Sequence, residues 1–331
     1  MTGRETITTL RDGFWENTAV VRLPDGTRRV RKQAKPAAAE RPWALAALRA
    51  EIDYLKNLPP HLAPHFPTVL DSWDGDTAGY ECPYYPDHAD LTALLLAGDL
   101  TQDDADQVQQ QLVTIVRGGL HQQPHPAPEL SAHVFKTLDD VTNQLAADPV
   151  FAPLVTEPSI TINGTTVPGL ARSLGALSVA PGLFTALDSP CTLIHGDLIP
   201  ENVLYRRGHP VVLIDPVSVA GIAAGHPLFD LVKYASYASG ELFAIRNGAV
   251  GAGPENDGTY VWKVDWSEPR TARFWRTDLV GRFHSSFPDP DTDTLNLLDA
   301  YFSLAMAVNT TGTQQWARAL KAAALLGDLV A

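Results

Sequence analysis

Residues 193–215 constrain this chain more than any other segment. The run Leu193-Ile194-His195-Gly196-Asp197-Leu198-Ile199-Pro200-Glu201-Asn202-Val203-Leu204-Tyr205 sets polar residues in a loop between short apolar strands. A turn at Arg207-Gly208-His209-Pro210 follows, then an apolar strand, Val211-Val212-Leu213-Ile214, that ends in Asp215. A hairpin of this kind returns Asp215 to the neighbourhood of Asn202, five positions after Asp197. Phosphoryl transfer asks little covalent chemistry of a protein. It needs a carboxylate to accept the proton of an attacking hydroxyl, and hard oxygen ligands for Mg²⁺ on the phosphates. Asp197 suits the first task; Asn202 and Asp215 suit the second.

The kinase catalytic loop reads His-Arg-Asp-Leu-x-x-x-Asn. Here His195-Gly196-Asp197-Leu198 is followed three residues later by Asn202, with Gly in place of Arg. The string His-Gly-Asp-Leu-x-Pro-x-Asn at 195–202, with Ile214-Asp215-Pro216 after it, resembles the aminoglycoside phosphotransferase and choline kinase group of small-molecule kinases. Gly225-His226-Pro227-Leu228-Phe229-Asp230-Leu231 and Leu120-His121 are similar to further segments of that group. The resemblance implies an α+β, bilobal protein-kinase-like fold, with a small β-rich N-terminal lobe and a large, mainly helical C-terminal lobe. It also implies ATP or GTP as phosphate donor and Mg²⁺ as cofactor, with Asp197 in the base position and Asn202 and Asp215 in the metal positions.

A kinase also needs a strand lysine for the α- and β-phosphates, oriented by a helix carboxylate. In Arg29-Val30-Arg31-Lys32-Gln33-Ala34, side chains alternate between faces, so Val30, Lys32 and Ala34 share the inner one. Lys32 is the expected cation, with Arg31 as the alternative. Glu51, three residues after Leu48 and four before Leu55, flanks the apolar stripe of the next helix and is the expected partner of Lys32. A solvated helix-edge carboxylate is the competing reading. Gly-x-Gly-x-x-Gly is missing from this region; Gly13-Phe14-Trp15-Glu16-Asn17 is similar to a Gly…Asn pattern of the group and makes Asn17 a nucleotide-binding candidate. Tyr80-Glu81-Cys82-Pro83-Tyr84 falls where an adenine-binding connector belongs. Glu81, Cys82 and Tyr84 are candidates by position, whereas Pro83 has no N–H to donate.

The rest of the chain fits this plan. Residues 1–85 read as a strand-rich nucleotide-binding lobe with a hairpin (18–23 and 27–34, around Pro24-Asp25-Gly26) and one helix at 39–58. Strands are expected at 66–73 and 80–85. Residues 86–331 read as a mainly helical catalytic and substrate lobe, with helices at 91–96, 103–120, 132–145, 291–307 and 313–329. Residues 150–185 read as irregular around a hairpin at 160–167, and 246–270 as an insertion of no evident shape. Net charge is −13 with no basic stripe, which argues against a nucleic-acid polymer as partner. No run reaches the roughly 18 apolar residues of a membrane span. The two cysteines, Cys82 and Cys191, form no disulfide framework, and a cytoplasmic location is expected. His121 and His125 lack a carboxylate set to complete a metal site.

A protein acceptor is disfavoured. Ala127-Pro128-Glu129 lies upstream of the catalytic loop, not downstream, and only a short run separates Asp215 from Pro227. The expected acceptor is a small molecule bearing a hydroxyl, such as an aminoglycoside or other antibiotic, an amino alcohol or a sugar. Asp87, Asp90, Asp99, Asp103, Asp104 and Asp106, or Asp289, Asp291, Asp293 and Asp299, can hold its ammonium groups; they can equally be helix caps and solvated loops. Trp262, Trp266, Trp275 and Tyr260 can line its pocket or pack the insertion. The alternative to an active enzyme is a catalytically silent nucleotide-binding module of the same fold. The full polar set of Lys32, Glu51, Asp197, Asn202 and Asp215 favours the enzyme.

Overall fold

The computed structural model describes residues 5–13, 16–36, 42–75, 77–126, 130–217, 221–256 and 258–331. The Ala127-Pro128-Glu129 string, Phe14, Trp15 and the start of the helix expected from residue 39 lie outside the described residues. The fold is mixed α+β, strand-rich toward the N-terminus and helical toward the C-terminus, as expected. Two compact units divide the chain. One gathers Met1–Leu100, Gln110–Gln123 and Leu193–Ala224; the other gathers Thr101–Gln109, Pro124–Thr192 and Gly225–Ala331.

The first unit holds an antiparallel sheet of β1 (Glu5–Asp12), β2 (Glu16–Arg22), β3 (Arg28–Ala34), β4 (Asp71–Trp73) and β5 (Gly79–Pro83), in the order β1-β2-β3-β5-β4. The β2–β3 hairpin turns where Asp25 accepts the Thr27 N–H at 2.8 Å and Gly26 takes φ 85°, a conformation that favours glycine. The turn sets the register, Thr18 opposite Lys32 and Asn17 opposite Gln33. Strand pairing starts only at Asp71, not at 66, because Pro67 has no N–H for a ladder. Helix α1 (Pro42–Lys56) buries Leu45, Leu48, Ile52 and Leu55, the stripe its spacing predicts, together with Glu51 and Tyr54. In the same unit Val203–Tyr205 pairs antiparallel with Val212–Leu213 and with Ala89–Asp90.

The second unit is built on helices Leu130–Ala147, Leu228–Ala238, Thr292–Ala307 and Gly312–Asp328, each with a buried apolar face. The hairpin around Asn163-Gly164 is present; both residues have positive φ (50° and 84°), as its two-residue turn requires. The flanking segment is not irregular: Ala152–Thr156, Leu170–Val179 and Gly182–Ala186 are helices. At ten residues or fewer, each is too short to display a helical period. The shapeless insertion is also structured. Val250–Asn256 and Thr259–Val264 form a hairpin that continues the 160–167 pair into a four-stranded sheet, through a parallel pairing of Thr259 and Tyr260 with Thr161 and Ile162. Among the described residues, no helix is long and apolar enough to cross a membrane.

Candidate active site

Sheet parity decides which cations enter the site. Lys32 lies opposite Thr18 and Tyr80, on the face that also carries Val30 and Cys82. Its side chain is 2% exposed, and its ammonium donates to Glu51 Oε2 at 2.7 Å and to Asp215 Oδ1 at 3.0 Å, with Glu16 Oε1 at 3.4 Å. Glu51 is fixed from the other side by the Tyr80 hydroxyl, which donates to Oε1 at 2.7 Å. The helix-edge carboxylate is therefore a buried, doubly bonded group. Arg31 points to the opposite face. There it donates to the buried Glu81 carboxylate at 2.7 Å alongside Arg29, and its guanidinium stacks over Trp73.

Burial works against the charge of Lys32, but three carboxylates outweigh it and hold the ammonium protonated well above its ordinary range. Burial pushes the Glu51 carboxyl up to about 7, against the pull of Lys32. Burial also acts to raise Asp215, yet Lys32 and Arg11 prevail and keep it below the usual carboxylate range. Of Glu51 and Asp215, Glu51 is the group that takes a proton first.

The catalytic-loop module delivers the other groups. Asn202 Nδ2 donates to the Asp197 carbonyl at 2.8 Å and to Asp197 Oδ2 at 3.2 Å, so the two side chains are locked together. With the amide nitrogen spent, the Asn202 carbonyl oxygen is its remaining ligand atom. The Ile214 N–H donates to the Asn202 backbone carbonyl at 3.0 Å, which leaves the side-chain oxygen clear of that bond and brings Asp215, the next residue, alongside. Backbone strain concentrates here. Asp215 and Val217 both have φ 52°, and the buried β-branched Val217 is held there by its N–H bond to the His195 carbonyl at 2.7 Å.

Gly196 has a backbone reason for departing from the Arg of protein kinases. Its φ is 79°, and a Cβ on it would lie 2.4 Å from the Ile222 carbonyl oxygen. Gly196→Ala is expected to lower stability by at least about 1–2 kcal/mol from the left-handed backbone alone. Thermal unfolding of the variant checks this; an unchanged Tm contradicts it.

Asn17 is not part of this cluster. The register places it opposite Gln33, on the sheet face away from Lys32, where with Thr6, Ala19, Val21, Arg31 and Gln33 it lines a cavity of about 270 Å³. The strand neighbour with the right parity is Glu16, which reaches Lys32. Cys82 is buried on the Lys32 face, and Tyr84 is half-buried beneath the Arg28 guanidinium. Arg11, which sequence reasoning passed over, reaches Asp215 Oδ2 at 3.4 Å. All of these residues belong to the first compact unit.

Several acidic candidates for an acceptor site have local structural duties. Asp90 and Asp291 cap helices through Ala93 and Thr294, and Asp104 accepts from Thr101. Asp299 is bonded to Lys321 and Ser236. In the insertion, Tyr260 is buried against Trp316, whereas Trp266 and Trp275 are exposed. Among the described residues, no group of three or more His, Cys, Asp or Glu is arranged to hold a metal. Magnesium bound largely through phosphates needs only one or two protein oxygens. The Asn202 side-chain oxygen and the Asp215 carboxylate are of the right kind, hard donors carried on neighbouring ends of the hairpin.

The model of a family described as the phosphotransferase enzyme family matches residues 6–262. Among curated proteins, no sequence matches significantly. Among solved structures, one provisionally described as a fructosamine-3-kinase from Thermobifida fusca is 18% identical with a TM-score of 0.51, over 98% of this chain and 96% of that one. The macrolide 2'-phosphotransferase MphH of Brachybacterium faecium is 16% identical with a TM-score of 0.44, over 97% of this chain and 91% of that one. A choline kinase from Cryptosporidium parvum is 11% identical with a TM-score of 0.44, over 99% of this chain and 88% of that one. The family model spans well over half of the chain, including the catalytic-loop module and the Lys32 strand, and the chain belongs to the phosphotransferase enzyme family.

Proposed function

We propose that this protein is a small-molecule kinase that transfers the γ-phosphoryl group of ATP or GTP to a hydroxyl of a small acceptor, such as an aminoglycoside or other antibiotic, an amino alcohol or a sugar. One observation carries the reading. Lys32, Glu51 and Asp215 converge at 2.7–3.0 Å, next to a loop in which Asp197 and Asn202 are bonded to each other. Lys32 orients the α- and β-phosphates and Glu51 orients Lys32. Residues near Cys82 and Tyr84 hold the purine through their backbone. Asn202 and Asp215 would hold Mg²⁺, which would supply neutralisation of phosphate charge. Asp197 accepts the proton of the acceptor hydroxyl as its oxygen forms the new bond to phosphorus and the nucleoside diphosphate leaves. In this reading the nucleotide-orienting residues fall within 1–85, and the base and metal ligands within 86–331.

The test is a coupled assay for ADP and GDP release with Mg²⁺ across a panel of aminoglycosides, macrolides, amino alcohols and sugars. Release that depends on one acceptor class supports the reading and identifies the class. Absence of Mg²⁺-dependent nucleotide binding contradicts it. The assay also carries a pH prediction. Glu51 must be ionised to orient Lys32, so kcat/KM is expected to rise with pH through about 7. The limb should vanish in Glu51→Gln at a lower plateau; the same limb in that variant assigns it elsewhere.

A further inference from the structure

The sheet carries a second cation toward Asp215, and a defect in strand pairing puts it there. Strand β1 pairs with β2 with Thr9 opposite Ala19, then skips so that Arg11 lies opposite Thr18. Without that skip the ladder would place Leu10 opposite Thr18 and Arg11 opposite Asn17, on the face away from Lys32. The bulge at Leu10 thus turns Arg11 onto the Lys32 face, the kind of re-aiming bulges produce beside active sites. Arg11, Thr18 and Lys32 then form one cross-strand row, with the two cations on strands roughly 10 Å apart. Both side chains lean to one carboxylate between them. Lys32 takes Asp215 Oδ1 at 3.0 Å and Arg11 takes Oδ2 at 3.4 Å.

We infer that Arg11 is a phosphate-binding residue, a second cation for the nucleotide's polyphosphate supplied from β1. The inference rests on the nucleotide-binding reading of the same site. Phosphates in kinases are covered by a glycine-rich loop whose backbone N–H groups face them. This chain has no Gly-x-Gly-x-x-Gly between β1 and β2; it has Asp12-Gly13-Phe14-Trp15-Glu16. Arg11 lies next to the last residue of β1, just before that segment of sequence. A guanidinium offers planar, paired donors suited to phosphate oxygens, which an ammonium does not. Asp215 contacts both cations. Were Asp215 to hold a metal ion instead, Lys32 and Arg11 would be left to face phosphate oxygens. Arg11 is 63% exposed in its side chain, so its replacement leaves the core intact.

The experiment compares wild type, Arg11→Gln and Arg11→Lys by calorimetry with Mg²⁺ and the non-hydrolysable analogues of ATP and GTP, and with adenosine and guanosine as phosphate-free probes. Arg11→Gln is expected to lose about tenfold in analogue affinity, the scale of one charge-assisted contact, with nucleoside affinity unchanged. Arg11→Lys should recover part of the loss. Unchanged analogue affinity in Arg11→Gln overturns the role of Arg11 and leaves the kinase reading standing. Tighter binding in Arg11→Gln overturns it too, since Arg11 would then be only a latch on Asp215. Equal losses for analogue and nucleoside point to a structural role and also overturn it. A wild type that binds neither analogue overturns both readings together.

Discussion

Asp197→Ala is expected to lower kcat by about 10²–10⁴-fold, the span of a positioned general base, while triphosphate affinity with Mg²⁺ stays within about twofold. The geometry makes these effects separable. Asp197 is not among the groups that Lys32 contacts, so its loss leaves the phosphate cations in place. Asn202 loses one acceptor, the Asp197 carboxylate at 3.2 Å. It keeps the Asp197 backbone carbonyl at 2.8 Å, which no side-chain change removes. The loop therefore holds its shape without the carboxylate. Single-turnover kinetics beside nucleotide titrations check both halves. A near-normal rate removes Asp197 as the base, and a parallel collapse of nucleotide binding makes it structural.

Asp215→Ala should behave differently. In the proposed reading Asp215 holds the metal ion, and its removal should cost several kcal/mol of charge stabilisation in the transition state, about 10³-fold in kcat/KM. Triphosphate binding should lose its dependence on Mg²⁺ at the same time. The cluster should survive, because Lys32 keeps Glu51 at 2.7 Å and Glu16 at 3.4 Å. With one negative charge gone, Lys32 is held less far above its ordinary range and the Glu51 carboxyl is no longer raised by Asp215. The acid limb of the surviving activity should therefore move to lower pH. Nucleotide titrations at several Mg²⁺ concentrations decide the point; unchanged metal dependence in the variant shows that the metal assignment is wrong.

The parts of the site legible in the sequence are those set by local rules. Strand alternation alone separated Lys32 from Arg31, and helical spacing alone turned Glu51 toward the sheet. The hairpin between Asn202 and Asp215 was legible because the turn at 207–210 lies between two apolar runs. Asn17 was suggested by a resemblance of Gly13–Asn17 to a Gly…Asn pattern, which carries no information on strand parity. The hairpin turn at Asp25-Gly26 fixes Asn17 opposite Gln33, and the parity argument that chose Lys32 puts Asn17 on the other face of the sheet. Arg11 was missed for a subtler reason. β1 is exposed along its whole length, so it shows no apolar alternation, and a bulge leaves no mark on composition. The sheet built from 160–167 and 250–264 was out of reach because its pairing joins residues about 100 positions apart. Glu81 carries a buried charge that nothing local announces; its partners Arg29 and Arg31 lie on another strand.

In the proposed function, the cluster of Lys32, Glu51, Asp197, Asn202 and Asp215 moves a phosphoryl group to a small hydroxyl. The most direct measurement is the fate of γ-labelled ATP and GTP incubated with Mg²⁺, the acceptor panel and either wild type or Asp197→Ala, with the products separated and each acceptor analysed for phosphate. Label on an acceptor hydroxyl with wild type, and none with Asp197→Ala, is the predicted result. Label that appears only as inorganic phosphate, or equally on the acceptor with both proteins, contradicts the account.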